Sequence, residues 1–334
     1  MPPSALSLAQ ILRGRFGLYT VLKKIQDVVW LARFVIQAAN ASTYGTELTL
    51  ALIRDQSNEL VVVKSVSGHP RVENERDVLR RFQSRSTHIR PLIDEIQDPA
   101  KPTTIILRHL EEDLLDASIQ KPLGRKEIKY VSKAILEALN VLHEDGYVHT
   151  DVKPSNIFVN HRKGQSEVRF SDVQLGDFGG SYHQDSDWAK LGTPIGAPMW
   201  SSPEVLMERP WNTATDIWSF GNMVISLIFG GDFNIFRPKT VRYGDESYNV
   251  EVVQSQFRYF GPFPPKIREI MDDETYTSVL YLMQLNPPES MTPFRLVTER
   301  EVVKEDKDFI LRIMKLDWRD RPTAKELLED EWFL

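Results

Sequence analysis

Asp151, Asn156 and Asp177 are the residues of this chain whose types and order can do chemistry. Asp151 and Asn156 stand five apart in His149-Thr150-Asp151-Val152-Lys153-Pro154-Ser155-Asn156, and Asp177 opens a second acidic tripeptide, Asp177-Phe178-Gly179. Phosphoryl transfer needs one carboxylate to orient a hydroxyl and accept its proton. It also needs two oxygen ligands that hold Mg²⁺ against the phosphates. Asp151 suits the first role, Asn156 and Asp177 the second.

Elements that must position these groups can be read on both sides. Val61-Val62-Val63-Lys64 is a β-branched run, read as a buried strand ending in a lysine whose compact charge suits the α and β phosphates. Residues 71–83 carry Val72, Val78, Leu79 and Phe82 on one face of a predicted helix. Strand-like runs dominate up to Ile105-Ile106-Leu107, helical patterns dominate from Arg125 onward, and Arg108 to Leu110 joins the two regions. Ile128, Val131, Ile135, Leu139 and Leu142 recur at helical spacing, and Gly146 is the expected C-terminal stop.

Composition narrows the setting. A chain of 334 residues exceeds one typical core, so two lobes are expected, and 41% hydrophobic content can bury both. The absence of cysteine excludes disulfides and thiolate metal sites and points to a reducing, intracellular setting, in the cytoplasm, the nucleus or both. The seven histidines lack metal-ligand spacing. A net charge of -6 disfavours nucleic acid or an anionic membrane as the main partner, and no apolar run reaches bilayer-spanning length. Arg13 and Arg15 precede the first acid, Asp27, which reads as a short basic extension rather than a transit peptide.

Taken in order, these motifs resemble a eukaryotic protein kinase domain of the serine/threonine type, from about residue 19 to the C-terminus. The resemblance implies an α+β, bilobal fold. Residues 1–18 would be an N-terminal extension, about 19–107 a small β-rich N-lobe with its αC helix, about 108–113 a hinge, and about 114–333 a larger, mainly helical C-lobe. It implies ATP and Mg²⁺ as cofactors and protein serine or threonine hydroxyls as acceptors. Asp151 would act on the hydroxyl, Lys153 would neutralise charge on the transferred phosphate, and Asn156 and Asp177 would bind metal. Lys64 would meet the ATP phosphates, with Glu75 as its partner, or Glu73 if the helix slips by half a turn. Leu107 would back the purine pocket, the backbone of Arg108 and Leu110 would meet the adenine edge, and Asp113 would reach the ribose. His149 would pack beneath the loop, beside Phe178 and Gly179. Glu204, in Ser202-Pro203-Glu204, would form a buried pair with Arg321, and Asp216 would open a buried central helix. Residues 232–291 lie where the group containing cyclin-dependent, mitogen-activated and SR-protein kinases carries extra helices.

The glycine-rich phosphate loop is where the pattern weakens. In one register Asn40-Ala41-Ser42-Thr43-Tyr44-Gly45 is the loop and residues 48–51 the following strand, with Gly45 alone of three expected glycines. In the other, Tyr19 to Ile25 and Val28 to Ala32 form a hairpin around Gln26-Asp27, and residues 33–58 are an insertion. Spacing to Lys64 favours the first. Two further departures concern regulation. Thr150 stands where many kinases have a phosphate-reading arginine, and His-Thr-Asp with Ser-Pro-Glu is similar to the SR-protein kinases, typically active without loop phosphorylation. Such kinases suggest Arg/Ser-rich substrates. Against that, Ser201 replaces an expected arginine and Ala197 a threonine that bridges the catalytic aspartate and lysine. Trp188, Met199 and Trp200 are the expected anchors of the activation segment, and Ser181, Ser186 and Thr193 its candidate phosphorylation sites. The depleted glycine loop and Ala197 motivate an alternative, a pseudokinase acting as a scaffold or allosteric partner.

Overall fold

Alternation sets the first strands: in Ile11-Leu12-Arg13-Gly14 and Leu18-Tyr19-Thr20-Val21 every second residue is buried, the period of a strand with one face on a core. The computed structural model describes residues 6–35, 59–164 and 166–334 and divides into two units, Met1–Leu110 and Glu111–Leu334.

In the first unit, β1 (Ile11–Gly14), β2 (Leu18–Gln26), β3 (Val29–Val35), β4 (Leu60–Ser65), β5 (Leu92–Asp98) and β6 (Thr104–Arg108) close a barrel in the order β1-β2-β3-β4-β6-β5. Its interior holds Leu12, Tyr19, Trp30, Ala32, Val63 and Ile106. The folded part therefore begins before Tyr19, because Leu12 is fully buried and β1 pairs with both β2 and β5. Asp94, on β5, clamps the β1–β2 turn: it accepts from the N–H of Arg15 at 3.0 Å, the N–H of Phe16 at 2.9 Å and the Tyr19 hydroxyl at 2.9 Å. Burial, then the Asp94 charge, pushes the Tyr19 phenol well above its ordinary value. Helix α1 (Arg71–Phe82) turns Val72, Glu75, Val78, Leu79 and Phe82 inward.

The barrel corrects the expected loop register. β2 and β3 form the hairpin, with Gln26 opposite Val29, and β3 pairs directly with β4 from Val29↔Lys64 to Arg33↔Leu60. Trp30 and Ala32 are thereby buried in one cluster with Val61 and Val63, an apolar gain that a count of residues to Lys64 cannot weigh. Gly45 and the rest of residues 40–51 lie outside the described residues.

The second unit runs through β7 (Glu112–Asp113), α2 (Leu114–Gln120), α3 (Arg125–Glu144), β8 (Tyr147–Val148), β9 (Ile157–His161), β10 (Phe170–Leu175) and β11 (Tyr182–His183). Helices α4 (Asp187–Lys190), α5 (Pro203–Leu206), α6 (Ala214–Phe229), α7 (Tyr248–Phe260), α8 (Asp273–Leu285), α9 (Lys304–Ile313) and α10 (Ala324–Leu328) follow, two of which, α7 and α8, lie within residues 232–291. The predicted stripe of α3 is buried throughout, and Gly146, at φ 71°, ends the helix in the left-handed conformation that only glycine adopts without strain. In α6 every residue from Thr215 to Leu227 is buried, as expected of a central helix packed on all sides.

Candidate active site

The first unit holds the lysine. Strand β4 carries Lys64 to the α1 helix, where its Nζ lies 2.9 and 3.0 Å from the two carboxylate oxygens of Glu75. Glu75 is 2% exposed, and it, not Glu73, is the partner. Leu107 is fully buried in β6. The carbonyl of Arg108, expected to face a purine, accepts a hydrogen bond from Nε of the buried Arg90 at 2.8 Å.

The second unit holds the loop. Two short ladders, β8 with β11 and β9 with β10, fix its ends. A 3-10 turn at Pro154–Asn156 brings the amide nitrogen of Asn156 back to the Asp151 carbonyl at 2.8 Å and to its Oδ2 at 2.9 Å. Lys153 Nζ donates to the same Oδ2 at 2.7 Å. Asp151 Oδ1 is buried and has no hydrogen-bond partner. Asn156 is coupled to the approach of Asp177, since its carbonyl accepts from the N–H of Gly176 at 2.9 Å. His149, fully buried, places Nε2 3.1 Å from the Gly176 carbonyl, accepts at Nδ1 from the Asp151 N–H, and lies edge-on to Phe178 at 4.9 Å. These partners assign its proton to Nε2.

Backbone strain gathers around the same loop. Thr150 at φ 75° and Asp177 at φ 62° both occupy the left-handed region, which is costly for any residue with a Cβ and most of all for a β-branched one. Asp216, at the start of α6, offsets the first: its two oxygens accept from the N–H of His149 at 2.7 Å and of Thr150 at 2.9 Å. The Thr150 hydroxyl then donates to the Gly180 carbonyl at 2.8 Å. Gly196 makes room on the far side, because a Cβ there would stand 2.4 Å from the Thr150 carbonyl oxygen.

The remaining expected residues are distributed as follows. Arg321 donates to both oxygens of Glu204 at 2.6 and 2.8 Å and stacks its guanidinium over Trp218, 5.1 Å from the ring centre. Asp113 caps α2, accepting from the Asp116 N–H at 3.0 Å, and burial pushes its carboxyl up. Of the expected anchors, Trp188 is half exposed and stacked on Tyr182, and Trp211 takes its place. Trp211 packs with Val148, Ala189 and Val205, and its indole N–H donates to the Thr193 carbonyl at 3.0 Å. Ser181 is fully buried, with its hydroxyl on the His149 carbonyl at 3.3 Å, so it is no accessible phosphorylation site in this arrangement. Sequence reasoning missed Trp211, Asp94 and the Thr150–Gly180 bond. A tryptophan after Pro210 was the only local signal for the first.

A family model for the protein kinase domain matches residues 48–333. The chain is similar to calcium/calmodulin-dependent protein kinase type 1 of Macrobrachium nipponense, 24% identical over 294 residues, which is 86% of this chain and 71% of that protein. It is also similar to the DNA damage response protein kinase DUN1 of Saccharomyces cerevisiae, 25% identical over 272 residues, 76% of this chain and 50% of that protein. The chain thus spans about half the length of that yeast relative. In fold it matches a chain of the yeast RNA Pol II CTD kinase CTDK-1 complex, with a TM-score of 0.70 at 16% identity, covering 99% of this chain and 96% of that one.

Proposed function

Because the chain belongs to the protein kinase family, we propose that it transfers the γ-phosphate of ATP to serine and threonine hydroxyls of proteins. The observation that carries this reading is the asymmetry of Asp151. Its Oδ2 is fixed by Lys153 and Asn156, whereas its buried Oδ1 has no partner and suits the proton of an incoming hydroxyl. Lys153 also brings positive charge to the place where the phosphoryl group passes. With its amide nitrogen turned to Asp151, Asn156 keeps its oxygen for other use. That oxygen and the Asp177 carboxylate make the small all-oxygen donor set that suits Mg²⁺, which neutralises phosphate charge when bound. Among the described residues no cluster of three or more His, Cys, Asp or Glu forms a metal cage, in keeping with a cation that shares its ligands with phosphates. In the first unit, Glu75 holds Lys64 extended for nucleotide phosphates.

Activity without phosphorylation of the activation segment belongs to the same proposal, since Thr150 binds a backbone carbonyl instead of reading a phosphate. A second reading, a scaffold without turnover, is favoured by one feature: the β2–β3 turn at Asp27-Val28 has no glycine to admit phosphates.

One experiment separates the two. Asp151→Asn should lower transfer to a panel of acceptor proteins by roughly 10²- to 10⁴-fold while the thermal shift given by ATP plus Mg²⁺ persists. A wild-type chain that binds Mg-ATP yet phosphorylates nothing on the panel would leave the scaffold.

A further inference from the structure

The turn that joins β1 to β2 is built to hold its shape. The N–H of Gly14 donates to the Gly17 carbonyl at 2.8 Å, and Asp94 takes the N–H groups of Arg15 and Phe16, so the turn is bonded both from within and from β5. Its glycines admit that closeness: a Cβ on Gly14 would stand 2.2 Å from Asp94 Oδ2, and one on Gly17 2.2 Å from a Phe34 ring carbon. Yet the side chains that this turn presents are bare. Phe16 is 72% exposed, with the Arg15 guanidinium 5.9 Å from its ring centre. The outward residues of β1 are Ile11, 63% exposed, and Arg13, and Leu8, just before the strand, is 67% exposed. Single exposed apolar side chains are ordinary. Three of them interleaved with two arginines between positions 8 and 16, on a segment the fold makes rigid, mark a contact surface.

We propose that Ile11, Arg13, Arg15 and Phe16, with Leu8 beside them, form a docking surface for an acidic segment of a partner protein that carries an apolar side chain among its carboxylates. Charge selects the acidic partner. From Met1 to Gln26 the chain holds Arg13, Arg15, Lys23 and Lys24 and no acid, against a net charge of -6 overall. Asp98 stands opposite Arg13 on β5 and offsets part of its charge, which leaves Arg15 at the turn as the principal cation. At a Debye length of about 8 Å, a short segment meets this local charge and not the sum over the whole molecule. A guanidinium grips a carboxylate with paired N–H bonds, and Phe16 offers an apolar anchor on a backbone already fixed, so little freedom is lost on binding. Aromatic residues and arginine are also the types that dominate interface energies. An anionic bilayer is the poorer occupant, since such surfaces are held by clusters of about four to eight cations. The surface contains none of the residues assigned to phosphoryl transfer, and it stands whether or not the kinase reading does.

The test uses fluorescein-labelled peptides of one length in four compositions: Glu with Phe and Leu, Glu with Gln and Ser, Gln with Phe and Leu, and Lys with Phe and Leu. Binding to the whole chain is read by fluorescence anisotropy. The first should bind about tenfold more tightly than the second or third, because each of those lacks one kind of contact, and the fourth should bind least. Phe16→Ser and Arg15→Glu, both at exposed positions and melting with the wild type, should each weaken the first peptide by about tenfold. Arg15→Lys, which keeps the charge but not the fork, should fall between, and added salt should weaken wild-type binding. No preference for the acidic, apolar peptide would overturn the proposal. So would a preference that both Phe16→Ser and Arg15→Glu leave intact. Phe16-dependent sedimentation with phosphatidylserine vesicles, without selective peptide binding, would overturn it in favour of a membrane surface.

Discussion

A threonine held at φ 75° carries strain of about 1–3 kcal/mol, and Thr150 is fixed there by Asp216 on its N–H and by Gly180 on its hydroxyl. The same arrangement orders Asp151 on one side and the stretch after Asp177 on the other. Asp177 shares the left-handed conformation, a strain that persists only where the surrounding structure fixes the residue. Asp177→Ala should therefore weaken Mg-ATP binding itself, unlike Asp151→Asn. Isothermal titration with saturating Mg²⁺ measures it, and an unchanged nucleotide affinity would remove Asp177 from the metal set. At this scale most of the site was legible in the sequence, because Asp151, Lys153 and Asn156 sit in one short loop whose spacing dictates its contacts. Asp151's lone Oδ1 was not legible, nor was the claim of Arg90 on the Arg108 carbonyl, since both depend on atoms brought together from distant segments.

Elements are tied to one another by a few buried polar pairs. Arg321 and Glu204 lie 117 positions apart in sequence, and their side chains are 0% and 6% exposed. Truncating one leaves the other charged and dry, so Arg321→Ala should cost roughly 3–5 kcal/mol in urea unfolding. A variant that unfolds with the wild type would count against a stabilising pair. The activation segment is held by apolar packing and backbone bonds: Trp211, Ala189, Val205 and Val148 cluster, and the Ser186 hydroxyl caps α4. Nothing in that set awaits a phosphate. Protein treated with a broad phosphatase, and confirmed by intact mass to carry none, should keep its full transfer rate. Loss of activity, restored by an activating kinase, would mean that another cation reads the modification. The sequence pointed to Trp188, with Met199 and Trp200, and not to Trp211. Only the fold, by burying Trp211 and leaving Trp188 half exposed, decided between them.

For the whole molecule, the division into two units was readable from the change of period near residue 107, strands before and helices after. The start of the first unit was not, because Ile11 to Gly14 is too short to carry a periodic signal and its pairing with β5 spans more than eighty residues. Yet this segment is the seam of the barrel. Without it β2 and β5 would each present a bare row of N–H and C=O groups, the template on which another polypeptide can add a strand. A chain shortened to begin at Leu18 is therefore expected to become sticky: light scattering and size-exclusion chromatography should show concentration-dependent self-association that the full chain lacks. If the shortened protein elutes and melts as the full chain does, β1 is decoration. Residues 11–14, inside the eighteen that the sequence marked as a mere extension, otherwise act as a guard, keeping neighbouring copies of the molecule apart in a crowded solution.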